Sequence, residues 1–217
     1  MGTADAAPKV DPAEVKGGNA GNERARPPPP ACTTCGKHTQ FPKDVCDKMN
    51  DLMKDSYPGG HSTERGGTLV TDSAGNTQMV NAGAGNNPQS GSFSPNLNVP
   101  SGDTVQGVFH THPYDASEGN YTNVSLSGGD AAYMINNHQS IMVARSGDGL
   151  FIYKPTADTP NSVDFTQTNN DQNARIASLV KGGMGFPEAS QQAARETADR
   201  LHLEYYQGKK CDASKVN

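Results

Sequence analysis

Thr104-Val105-Gln106-Gly107-Val108-Phe109-His110-Thr111-His112-Pro113 is an apolar stretch that runs into a pair of histidines and stops at a proline. The pattern predicts a strand over 104–110, with Val105 and Phe109 among its apolar residues. Side chains on a strand alternate between faces, so His110 and His112 point the same way and can present two imidazoles to one ion. Pro113 cannot extend a central strand, which puts the pair at a strand end, where a site can open to solvent.

Downstream, 113–126 reads as a polar loop, and Ser127-Gly128-Gly129-Asp130 closes it and opens a short helix expected over 130–137. Residues 141–145 and 150–154 read as two strands of a hairpin, turned at Ser146-Gly147-Asp148-Gly149. Residues 156–173 are polar and expected to be irregular. A last helix is expected over 188–206, with Ala189, Ala193, Ala198, Leu201 and Tyr205 as its apolar stripe and Pro187 in its first turn.

Upstream, Val45, Met49, Leu52 and Met53 fall on one face of a helix predicted over 44–54, with Asp44 as its cap. Two strands follow at 67–71 and 78–81 around the turn 72–76, then a Gly/Asn/Ser/Pro-rich loop at 82–99. No internal repeat is present. This order predicts an α+β (α/β-like) fold: a central mixed sheet, flanking helices and a C-terminal helix.

Hydrophobic residues make up only 33% of the 217, against 24 Gly and 15 Pro, so a modest core with long loops is expected. Residues 1–30 end in Pro27-Pro28-Pro29-Pro30 and are expected to be a disordered, Pro-rich leader. Residues 31–217 are expected to form one domain. The net charge of -5, with no Lys/Arg run, argues against a nucleic-acid partner. No stretch approaches the roughly 18 apolar residues of a membrane span. The N-terminal stretch lacks a basic region followed by an apolar core, so no secretory signal is expected, and export would use another route.

Cys32, Cys35, Cys46 and Cys211 allow three disulfide pairings. Cys32-x-x-Cys35 also has the spacing of a zinc knuckle or a redox pair. Structural disulfides, free thiols and metal or redox chemistry all remain open, and two disulfides would imply an oxidising compartment.

Three local features carry chemistry together. His110 and His112 are the first. Asp130 is the second, an oxygen donor that zinc accepts beside two histidine nitrogens; three protein ligands leave a fourth position for water. Glu64, in Ser62-Thr63-Glu64-Arg65-Gly66-Gly67, is the third, a carboxylate able to accept a proton from water.

The ordered set Glu64, His110-Thr111-His112-Pro113 and Ser127-Gly128-Gly129-Asp130 resembles the JAB/MPN (JAMM) metallopeptidase family over roughly residues 44–155, with the C-terminal helix as an extension. The resemblance implies a Zn2+ site of His110, His112 and Asp130, with Glu64 as general base and Ser127 as an oxyanion donor. It implies peptide or isopeptide bonds as substrate, in a protein or a cell-wall peptide.

The stretch between His112 and Asp130 is longer than is common in that family. It contains two other acids, Asp115 and Glu118; only Asp130 has a serine three residues before it. With its Gly/Asn-rich composition, Pro-rich leader and cysteines, the chain also resembles a bacterial exported effector or toxin, for which an immunity or delivery protein would be a partner. Two other readings stand beside this one: a non-catalytic interaction module on the same fold, and a metal-dependent nuclease-type toxin. A zinc deaminase, which needs H-x-E followed by P-C-x-x-C, is disfavoured, because Cys32-x-x-Cys35 precedes the histidines and His112 rather than Glu stands two residues after His110.

Overall fold

Strand β4 (Thr104–Thr111) lies inside an eight-stranded sheet. The computed structural model describes residues 37–57, 62–86, 92–113 and 124–217. The expected leader, Cys32, Cys35, Asp115 and Glu118 lie outside the described residues.

In chain order the other elements are β1 (His38–Gln40), α1 (Lys43–Lys54), β2 (Gly66–Thr71), β3 (Thr77–Gly83), α2 (Gly128–Asn136), β5 (Ile141–Ser146), β6 (Gly149–Pro155), α3 (Phe165–Lys181), α4 (Phe186–Arg200), β7 (Leu203–Lys209) and β8 (Asp212–Lys215). The sheet order is β1-β8-β7-β6-β5-β4-β2-β3. Among the described residues only the β4–β5 pair is parallel, with His110 opposite Ala144, and α2 lies in the crossover that a parallel pair requires. The mixed α+β sheet is as expected from the sequence. Among the described residues, no helix is long and apolar enough to cross a membrane.

Alternation along β4 feeds two cores. Val108 joins Met134 of α2, Ala194 and Ala198 of α4, and Tyr153 and Tyr205 of the sheet. Phe109 joins Val45, Met49 and Leu52 of α1 on the opposite face. By the same alternation His110 and His112 face the α2–α4 layer, and Thr111 faces the α1 side. Cys46 of α1 is disulfide-bonded to Cys211, which sits in the turn between β7 and β8.

Three expectations need correction. The last helix ends at Arg200, and 203–209 is a strand rather than helix. His202 adopts φ 54°, which stops the helix, and the Tyr205-Tyr206 pair suits a half-buried strand. Leu201 and Tyr205 are buried as the stripe suggests, but from two different elements. The segment after 155 is therefore more than a helical extension: besides α3 and α4 it carries β7 and β8, which return to the sheet between β6 and β1.

Residues 165–173, expected to be irregular, belong to α3. Its buried residues Thr168, Gln172 and Ile176 recur every four positions, but two are polar, so a search for apolar periodicity passes over them. Asp164 caps the helix, its carboxylate accepting from the Gln167 N–H at 2.7 Å. Finally, Asp44 does not cap α1. It lies inside the first turn, where its charge still favours the helix dipole, and Pro42 holds the cap position.

Candidate metal centre

The centre is assembled where β4 ends beside the start of α2. His110 Nε2 and His112 Nε2 lie 2.8 Å apart, and Asp130 brings Oδ1 to 3.2 Å of the first and Oδ2 to 3.6 Å of the second. One ligand atom from each of the three residues falls within a 4.8 Å cluster. His110 and His112 are buried, and Asp130 is partly so.

Two of the three donors are oriented by a partner behind them. His112 Nδ1 lies 2.9 Å from the Ser125 carbonyl oxygen. That oxygen can only accept, so the ring proton sits on Nδ1, and Nε2 is turned toward the cluster. Asp130 Oδ2 accepts from the Ser127 N–H at 2.7 Å and from the Ser127 hydroxyl at 2.8 Å, while the Asp130 N–H donates back to Ser127 Oγ at 3.0 Å. This reciprocal capping box starts α2 and fixes the carboxylate at once.

The electrostatics match a cation site. Burial opposes ionisation of Asp130, but the facing imidazoles outweigh it and hold its carboxyl well below the usual carboxylate range. Burial also pushes His110 down, and the Asp130 carboxylate outweighs it and raises the imidazole. A proton on His110 Nε2 is then shared toward His112 Nε2 and Asp130 Oδ1. A metal ion at that place would meet the same three donors.

Glu64 lies beside the cluster, in the segment that precedes β2. Its Oε2 accepts from the Phe93 N–H at 2.7 Å. Burial pushes its carboxyl up, against the pull of His110 and the Phe93 N–H, and the Asp130 charge adds to the rise. The phenyl ring of Phe93 lies nearly parallel to the His110 ring, 7° between planes, with centroids 6.5 Å apart. Gly66 makes this approach possible: a Cβ there would run into the Phe93 ring and the Phe109 carbonyl.

Thr111, between the two histidines, serves the site from the other face. Its N–H donates to the Arg65 carbonyl at 2.7 Å, and its Oγ1 accepts from the Arg65 N–H at 2.8 Å. A further bond of 2.7 Å joins Oγ1 to Ser56 Oγ, just past α1. The residue next to Glu64 is thus pinned to the strand that carries the histidines.

The structure therefore brings His110, His112 and Asp130 together, with Glu64 adjacent and Ser127 capping α2. Of the cysteines, Cys46 and Cys211 pair with each other, away from this centre. Sequence reasoning missed Phe93, Thr111 and Ser125. Phe93 left one signal, being the sole aromatic residue in the 82–99 stretch. No family model, curated protein or solved structure matches the chain.

Proposed function

We propose that this chain is a zinc-dependent hydrolase of peptide or isopeptide bonds, working as JAB/MPN metallopeptidases do. The observation that carries the reading is the convergence of His110, His112 and Asp130 with a carboxylate, Glu64, raised by burial and placed beside them. Zinc bound there supplies acidification of a water and polarisation of a carbonyl.

The chain's own groups supply the rest. Glu64 takes a proton at its carboxylate and returns it to the departing nitrogen, and its upward shift brings it closer to the working range of a general base. The Phe93 N–H holds Oε2, which leaves Oε1 for the proton. Ser127 keeps Asp130 aligned through its N–H and hydroxyl. The oxyanion role that the family likeness implies for Ser127 requires its hydroxyl to turn from Asp130 to the substrate. The Cys46–Cys211 bond fits work in an oxidising compartment, where a cell-wall peptide is an accessible substrate for an exported effector.

The test is hydrolysis of peptide, isopeptide and cell-wall peptide substrates by the zinc-loaded chain, with Glu64→Gln in parallel. The reading expects turnover by the wild type and at least a hundredfold loss in the variant, with zinc retained. Equal turnover by both would refute Glu64 as the base. Zinc binding without turnover on any of these bonds would leave the interaction-module reading.

A further inference from the structure

Residues 124–127 form the short approach to α2, and both of the centre's orienting contacts come from it. Ser125 supplies the carbonyl that faces His112 Nδ1, and Ser127 supplies the two donors to Asp130 Oδ2. The four residues are all buried.

What holds this approach in place lies far along the chain. The Ser125 N–H donates to Ser190 Oγ of α4 at 3.1 Å. Ser125 Oγ and Tyr205 Oη of β7 share a bond of 2.8 Å. The Leu126 carbonyl accepts from Gln172 Nε2 of α3 at 2.8 Å. Ser125, Ser190, Tyr205 and Gln172 are at most 2% exposed, so water cannot stand in for these contacts without rearrangement.

We infer that α3, α4 and β7 form a clamp that positions the metal ligands through the 124–127 approach, with Tyr205 and Ser190 as positioning residues acting on His112. The inference rests on the metal-centre reading and extends it to residues 156–217, which the JAB/MPN resemblance does not cover. The mechanism is orientational. Two independent bonds fix Ser125, one at its backbone and one at its side chain, so its carbonyl holds the His112 ring in one tautomer and one plane. Partners of this kind behind metal-bound histidines are typically worth about 10–100-fold in metal affinity. Tyr205 stands one bond further out, so the expected loss is near the lower end, about tenfold.

The fold contains its own control. Tyr153 is as buried as Tyr205 and packs against it, with ring centroids 5.7 Å apart, but its hydroxyl donates to the Ala194 carbonyl of α4 rather than to Ser125. Losing either hydroxyl removes one buried hydrogen bond, whereas only Tyr205 holds the approach.

The experiment is zinc affinity by chelator competition on the full chain, for wild type, Tyr205→Phe, Ser190→Ala and Tyr153→Phe, with the thermal midpoint of each zinc-stripped protein recorded. The cobalt(II)-substituted absorption spectrum reports ligand geometry. The clamp predicts about tenfold weaker zinc binding and an altered cobalt spectrum for Tyr205→Phe and Ser190→Ala, and wild-type values for Tyr153→Phe, whatever the shifts in midpoint. Unchanged affinity in the first two, or an equal loss in all three, would overturn it.

If the wild type takes up no zinc, the metal reading fails by itself, and the clamp is decided by NMR of the His112 ring. An exchange-protected Nδ1–H in the wild type that loses protection in Tyr205→Phe supports the clamp. Equal protection in both overturns it.

Discussion

Replacing Cys46 and Cys211 together by serine removes a cross-link between residues 165 apart in sequence. In the chain-entropy account, closing a loop of that length restricts the unfolded chain by roughly 5 kcal/mol at 25 °C. A domain of this size is typically stable by only about 5–15 kcal/mol, so the bond is a large share of the whole. The native side changes little. The Phe41 N–H donates to the Cys211 carbonyl at 3.1 Å, and Val45, Met49 and Leu52 keep α1 on the sheet by apolar burial. The double variant should therefore fold to the same structure with a thermal midpoint lower by roughly 10–20 °C. Calorimetry and urea unfolding, with near-ultraviolet circular dichroism to check packing, measure the change. Zinc affinity should stay within about threefold of wild type, since neither cysteine touches the His110, His112 and Asp130 cluster. A stability change below about 1 kcal/mol would refute the assignment of this bond as the tie between α1 and the β7–β8 turn.

Other perturbations separate the parts of the site. Thr111→Val keeps the side-chain shape but leaves the Arg65 N–H without its Oγ1 acceptor. It should cost about 1–3 kcal/mol in urea unfolding and lower turnover while zinc content is unchanged. Glu64→Gln should stabilise the zinc-stripped protein at neutral pH. Folding raises this carboxyl, so its ionised form is penalised above the folded pKa, and the advantage should shrink as pH falls toward the ordinary value of 4.5; a variant less stable at pH 8 would count against the burial of that charge.

The Asp130–His110 pair sets a pH window in the zinc-stripped protein. Asp130 is lowered, so its contribution is present above the ordinary 3.8 and lost as pH falls. His110 is raised, so its contribution is present below 6.5 and lost as pH rises through the folded value. The stability gap between wild type and Asp130→Asn should be widest between those values, and a gap independent of pH would contradict the pairing. Zinc uptake should run the other way, weakening as His110 takes up its proton.

Much of this centre is legible in the sequence. The alternation through Val108, Phe109, His110 and Thr111 places the two imidazoles on one face, and Ser127 three residues before Asp130 marks a helix start that also aims a carboxylate. The hairpin at 146–149 and the α1 face were equally plain, because their apolar residues repeat with the period of their elements. The α3 helix was hidden because it buries Thr168 and Gln172, whose polarity breaks the apolar pattern. The boundary at His202 was hidden because Leu201 and Tyr205 are spaced like helix neighbours although they end up on a helix end and a strand. Contacts such as Ser125 with Tyr205, 80 residues apart, leave no local mark, since they depend on tertiary packing.

Elemental analysis of the purified chain, wild type beside His112→Ala, tests the proposal that His110, His112 and Asp130 hold a zinc ion. About one zinc per wild-type chain is expected, with zinc lost from the variant that still folds. No zinc in the wild type after the metal has been supplied, or equal zinc in both proteins, would contradict it.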